Sequence, residues 1–273
     1  MESRLKLEAE LARAVERNEF ELYYQPQVSL EDGRVLGAEA LIRWRHPERG
    51  LVAPGEFMPV VNTSPLSERI AFWVMRTACR QGRSWQQRGR EFRIAINLSP
   101  SQLQSDEIVT TVDAVLAETG YPAHLLELEV TENILVDEAI AVDVFRRLRD
   151  RGVRVVLDDF GTGYGSLTYL KKFPLDGLKI DRSFVNGLRA HEDDAAIVGT
   201  IIELSDRLGL SVLAEGIEDG ATVERLLRMR CRQGQGYHFG RPMPAAEFEQ
   251  KFLRGDRDRL RDGLDVAVSS PAA

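Results

Sequence analysis

Acids and amides recur in this chain where short apolar runs end. Glu39 lies within the run Val35–Trp44, Asn97 ends Arg93–Leu98, and Glu127 and Glu129 lie two apart in Leu125–Val130. Asp158 and Asp159 follow Val153–Leu157, Lys179 and Asp181 sit at the end of Gly177–Ile180, and Glu215 and Glu218 follow Leu210–Ala214. Gln235 opens the last such run, Gln235–Phe239. Residues two apart on a strand share a face, so Glu127 pairs with Glu129, and Lys179 with Asp181. If these ends converge, several carboxylates crowd one region. Two unit charges about 4 Å apart repel by about 4 kcal/mol at an effective dielectric of about 20. Several such pairs rival the whole stability of a domain, about 5–15 kcal/mol. The cluster must take up protons, pair with cations or hold metal, and Lys179 offsets one charge. Oxygen donors without a clustered His or Cys set favour a hard ion such as Mg²⁺ or Mn²⁺ over zinc. Two ions sharing a carboxylate suit hydrolysis of a phosphate ester. A solitary acid at a strand end is ordinarily a solvated loop residue or a helix cap. Independent caps, however, would fall evenly at both ends of strands, and these do not.

The elements that must position these groups follow from periodicity. Leu7, Leu11, Ala14 and Val15 recur at helical spacing in residues 1–18. Phe20, Leu22 and Tyr24 alternate with Glu21, Tyr23 and Gln25. After the Asp32-Gly33 turn a second run follows, so the chain opens with a hairpin. Beyond it, the six remaining apolar runs alternate with helical patterns near 66–89, 102–118, 136–151, 192–208 and 219–229. Gly120, Gly152 and Gly209 stand where helix C-caps belong. Eight strands alternating with helices predict an α/β fold, a closed (β/α)₈ barrel, with one strand of the opening hairpin antiparallel to the rest. The competing architecture is an open doubly wound sheet. In a barrel the C-terminal strand ends form one mouth, which is where the acids lie. The expected organisation is a linker-like helix at 1–19, one domain at 20–253 and a frayed tail at 254–273.

Composition narrows the function. The 273 residues are 43% hydrophobic and 29% charged, which excludes a disordered chain. A net charge of −7 argues against a DNA or RNA polymer as partner, while a bound metal still admits an anionic small substrate. Cys79 and Cys231 read as reduced thiols. No signal-peptide core and no run of 18 apolar residues is present. The expectation is a cytoplasmic chain that itself makes no membrane contact, with missing segments as the only route to an anchor. Asp158 to Ser166 is a glycine-rich loop entered from two acids, and its glycines permit unusual backbone angles.

Glu39-Ala40-Leu41, within Ala-Glu-Ala-Leu-Ile-Arg-Trp, resembles the signature of the EAL-domain phosphodiesterases, which hydrolyse cyclic di-GMP. Tyr-Gln-Pro at 24–26, Asn97-Leu98-Ser99, Glu129-Val130-Thr131-Glu132, the Asp158–Tyr164 loop, Leu178-Lys179-Ile180-Asp181, Ala214-Glu215-Gly216-Ile217-Glu218 and Gln235-Gly236-Tyr237 match in the same order. The similarity runs from about Phe20 to Pro244. It implies a modified (β/α)₈ TIM-like barrel with one antiparallel strand. It also implies two Mg²⁺ or Mn²⁺ ions: Glu39, Asn97, Glu129 and Asp158 on the first, with Asp158 bridging to the second beside Asp159. By the same resemblance Glu215 either holds the second ion or orients the attacking water, Lys179 contacts that water, and Gln235 supports the site. Glu132 resembles the anchor of the glycine-rich loop. Gln25, Leu41, Arg43 and Asp181 resemble substrate-binding positions. The implied reaction opens one phosphodiester to linear pGpG, with the 3′ oxygen leaving, and Ca²⁺ is the expected inhibitor. A homodimer and a flanking GGDEF or sensor domain are the partners the family implies.

Two departures from the family pattern stand out. Val61-Asn62 replaces the usual Ala-Glu, with an atypical segment up to Leu66, and Gly165 replaces a usual Ser. Neither touches an expected metal ligand. The alternative function is a receptor that binds the nucleotide without turnover. Such members have usually lost acids that this chain keeps.

Overall fold

The computed structural model describes residues 2–86, 91–103, 107–131, 138–161, 167–188 and 191–253. The tail from 254 therefore lies outside the described residues. Helix α1 (Glu2–Glu16) buries Leu11 and Ala14 and leads into a long antiparallel hairpin, β1 (Phe20–Ser29) and β2 (Val35–His46). Its register runs from Phe20 opposite Trp44 to Gln25 opposite Glu39 and beyond. A short β3 (Gly50–Val52), not anticipated from the sequence, folds back on the end of β2. Then come α2 (Pro54–Val61), α3 (Leu66–Gln86), β4 (Arg93–Leu98), α4 (Glu107–Thr119), β5 (Leu126–Thr131), α5 (Glu138–Asp150), β6 (Arg154–Phe160), α6 (Leu167–Lys172), β7 (Gly177–Ile180), α7 (Arg182–Gly187), α8 (Glu192–Leu208), β8 (Ser211–Ala214), α9 (Gly220–Arg228), β9 (Gln233–Gln235), β10 (Met243–Pro244) and α10 (Ala245–Phe248).

Strands β2 and β4 through β9 run parallel in sequence order. β1 closes the ring, pairing antiparallel with β2 on one side and β9 on the other. That closure gives an eight-stranded barrel with one reversed strand and removes the open-sheet alternative. The hairpin explains the reversal, since a tight turn can join only antiparallel neighbours, whereas each later strand of the barrel is reached by a crossover.

The pleat sorts the residues. Ile94, Ile96, Leu128, Val130, Val155, Leu178 and Ile180 are all buried, facing the surrounding helices. The alternate positions, Asn97, Glu129, Asp158 and Lys179 among them, face the barrel axis. The apolar core is therefore a shell between strands and helices, and the lumen is polar. Gly120, Gly152 and Gly209 have φ of 63°, 84° and 70°, the left-handed caps expected of them.

The eighth strand differs from expectation. It spans Gln233–Gln235, so Gln235 closes it rather than opening it. Residues 236–240 turn instead: the Phe239 and Gly240 amides donate to the Gly236 carbonyl. Gly236 itself is pressed against Ile217, so tightly that a Cβ would lie 2.1 Å from the Ile217 carbonyl oxygen. The alternation read at 235–239 is a turn lined with aromatic residues. Among the described residues no helix is long and apolar enough to cross a membrane.

Candidate active site

At the C-terminal mouth of the barrel the Lys179 side chain stands at the centre of the acids. It is 1% exposed. Its Nζ lies 2.7 Å from Glu215 Oε1, 2.9 Å from Glu129 Oε2, 3.3 Å from Asp158 Oδ1 and 3.7 Å from Glu39 Oε2. Five strands or strand ends thus deliver one ammonium and four carboxylates to one point. Glu39 is fixed from two further directions. Asn97 Nδ2 donates to its Oε1 at 2.6 Å, and Gln235 Nε2 donates to its Oε2 at 2.5 Å. Gln235 also donates to Gln25 Oε1 at 3.1 Å, and Gln25 in turn donates to the Gly240 carbonyl at 3.2 Å.

Asp158 and Asp159 are adjacent, and adjacent residues on a regular strand face opposite ways. The β6–β7 pairing shifts register between Leu157 and Phe160, and Asp159 takes φ of 54°. This bulge turns Asp159 back toward the mouth. Asp158, Asp159 and Glu215 consequently offer carboxylate oxygens that all lie within 4.8 Å of one another.

The electrostatics follow from four acids sharing one cation. Burial would lower the Lys179 pKa, yet Glu129, Glu215, Glu39 and Asp158 drive it well above the ordinary lysine value. Burial would raise Glu39, but Lys179 and the bonds from Gln235 and Asn97 hold it below the ordinary carboxylate range. Glu129 is pushed well up, by burial first and then by Glu39 and Asp158, against the pull of Lys179. Burial also lifts Glu215 to about 7 and Asp159 to about 6, with Asp158 adding to both. Excess negative charge of this kind invites protons or cations. Gln235 Oε1 is buried without a hydrogen-bond partner. An all-oxygen donor set, surplus carboxylate and an unmatched buried acceptor fit hard divalent cations.

A cleft of about 570 Å³ opens over these groups, lined by Gln25, Glu39, Leu41, Asp158, Asp159, Asp181, Glu215 and Gln235, with Arg182, Asn186, Glu218 and Tyr237 at its walls. Asp181 also caps α7, accepting from the Ser183 amide at 2.9 Å, which with the Ser183 hydroxyl outweighs its partial burial and keeps its carboxyl low. Arg43 is not among the lining residues. Its guanidinium lies 5.5 Å from the centre of the Tyr23 ring and donates to the Ile42 carbonyl at 2.9 Å. Glu132 and Gly165 lie outside the described residues.

Three further features go beyond what the sequence showed. Glu127 shares the inward face with Glu129 but belongs to the opposite end of the barrel. There Arg154 Nε meets its Oε2 at 3.0 Å and Arg93 Nη1 meets it at 3.6 Å, so these two arginines use up its charge. Gln27, buried between Gln25 and the barrel floor, donates to Glu129 Oε1 at 3.4 Å. Its signal was its place two residues after Gln25 on an alternating strand. Arg182 and Asn186 were also missed, because they lie on a helix that only the barrel's closure brings over the mouth.

The EAL domain family matches residues 8–242. Over 90% of its length the chain is 43% identical to MucR of Pseudomonas aeruginosa, a bifunctional diguanylate cyclase/cyclic di-GMP phosphodiesterase, covering 36% of that protein. It is 42% identical over 93% of its length to the cyclic di-GMP phosphodiesterase NbdA of the same organism, covering 32%. The chain thus spans about a third of the length of these curated relatives. A solved P. aeruginosa MucR phosphodiesterase in complex with c-di-GMP superposes with a TM-score of 0.85 at 42% identity, over 89% of this chain and 99% of that one. The EAL enzyme Bd1971 in its cAMP- and cyclic-di-GMP-bound form gives 0.88 at 34% identity, over 92% and 69%. With its signature strand, reversed β1 and acid-lined mouth, the chain belongs to the EAL domain family.

Proposed function

We propose that this chain is a divalent-metal-dependent phosphodiesterase that hydrolyses cyclic di-GMP to linear pGpG. The observation that carries the reading is the convergence of Glu39, Glu129, Asp158 and Glu215 on Lys179, with Asp159 turned in beside them. The relatives named for this activity support the choice of substrate. Glu39, Asn97, Glu129 and Asp158 would hold one Mg²⁺ or Mn²⁺, and Asp158, Asp159 and Glu215 a second. When bound, the ions polarise the phosphoryl group and lower the pKa of the attacking water.

The protein's own groups do the rest. Lys179, held protonated by its acids, brings a positive charge to the attacking water and the phosphoryl oxygens. Asn97 and Gln235 lock the two Glu39 oxygens in place, so the donor set needs no rearrangement at the moment of reaction. Gln25, Leu41 and Asp181 line the cleft against the rest of the nucleotide, with Arg43 held against Tyr23 beside it. Residues 20–253 form the catalytic unit in this reading, residues 1–19 connect it to a GGDEF or sensor domain, and two copies pair as a homodimer.

The test is turnover with Mg²⁺, Mn²⁺ and Ca²⁺ in parallel, resolving pGpG from GMP. Linear product with Mg²⁺ or Mn²⁺ and none with Ca²⁺ is expected. Bound but intact nucleotide under all three ions would identify a receptor instead.

A further inference from the structure

Gln27 is 0% exposed and sits near the end of β1, directly opposite Gln235 in the antiparallel register. Its Nε2 donates to Glu129 Oε1 at 3.4 Å, while its own Oε1 is buried with no hydrogen-bond partner. The reverse orientation of the amide would set its oxygen against the carboxylate, so the donor must face Glu129. An unmatched buried acceptor is destabilising, so Gln27 is poorly explained as a residue kept for stability. Glu129, meanwhile, is gripped on its other oxygen, Oε2, by Lys179 at 2.9 Å.

We propose that Gln27 is a positioning residue for Glu129, holding one carboxylate oxygen so that the other stays presented to Lys179 and to a divalent cation. The proposal rests on the metal-dependent reading of the site. A donor one step behind a metal-binding carboxylate fixes the rotamer of that ligand, and losing such a donor typically weakens metal binding by about 10–100-fold. β1 is the reversed strand of the barrel, and its pleat brings Gln25 to Gln235 and Gln27 to Glu129. The reversed strand thus supports both the Glu39 and the Glu129 sides of the mouth.

The experiment measures Mn²⁺ binding to the whole chain without nucleotide, from the electron paramagnetic resonance signal of the free ion. Wild type is compared with Gln27→Met, which keeps volume and removes the donor, and with Gln27→Asn, which keeps the amide but is one methylene too short to reach. Expected are a Kd for Mn²⁺ weakened by about 10-fold in both variants, a kcat reduced in proportion with KM within about two-fold, and a melting temperature that does not fall in Gln27→Met. If Gln27→Met does not fold, Gln27→Asn decides. Mn²⁺ affinity within two-fold of wild type in a folded variant overturns the assignment, as does a lower melting temperature with unchanged affinity. If wild type itself takes up no Mn²⁺, the reading of the site falls and this assignment with it. That result is distinct from one in which wild type and variants bind equally.

Discussion

Lys179 is the only cation touching Glu39, Glu129, Asp158 and Glu215 among the described residues, and removing it isolates their charges. Stripping one partner from a buried ionic cluster typically costs about 3–5 kcal/mol. Lys179→Ala should therefore lower metal-free stability while Mn²⁺ restores part of it. It should also reduce kcat far more than it raises KM for cyclic di-GMP; equal losses in both would make it a substrate-holding lysine. Glu39→Ala should bring turnover to background by removing a ligand that two neighbours hold in place, and retained activity at ordinary metal concentrations contradicts that. The raised carboxyls set the sign of a pH effect. Glu215, near 7, and Asp159, near 6, hold protons more tightly folded than unfolded. Their contribution to stability is full below the ordinary carboxyl range and is lost as pH rises through the folded values. In EDTA the melting temperature should accordingly fall between about pH 5 and 7, and Mn²⁺ should flatten that fall. A metal-free curve that rises through this window would be incompatible with the burial of these groups.

Among the elements, irregularities aim the site. Regular strand geometry would send Asp159 away from Asp158, and the β6 bulge reverses it. β9 is three residues long because the chain turns at Gly236, whose backbone packs on that of Ile217. A Cβ there would lie 2.1 Å and 2.3 Å from the Ile217 carbonyl oxygen and amide nitrogen, atoms that cannot swing aside. Gly236→Ala should destabilise the protein by about 3 kcal/mol, lowering the melting temperature by about 6 °C or more. It should also weaken substrate binding, because Gln235 and Tyr237 flank the substituted residue and line the cleft. A folded Gly236→Ala variant with unchanged nucleotide binding would mean that the turn is softer than its packing indicates.

At the scale of the whole molecule, the barrel concentrates charge at one end and cancels it at the other. Arg93 and Arg154 neutralise Glu127 at the floor, and no comparable pair of arginines reaches the acids of the mouth among the described residues. Divalent ions should supply that balance. At about 100 times its Kd, Mn²⁺ should stabilise the fold by about 2.7 kcal/mol, a rise of about 5–10 °C in melting temperature, reversed by EDTA. The absence of any rise in the wild type would show that the acids are satisfied by protons alone.

The sequence carried the alternation of strands and helices, because hydrophobic period and glycine caps are local properties. It also carried the identity of the acids, because their types and their places after apolar runs are written in order along the chain. That Glu127 and Glu129, two residues apart on one face, serve opposite ends of the barrel could not be read from it. Nor could the inward turn of Asp159, the support from Gln27, or the place of Arg43 beside Tyr23. Each depends on how paired strands are registered and where their side chains point, and the pairing that closes the ring is settled only when every buried charge has to find its partner in space.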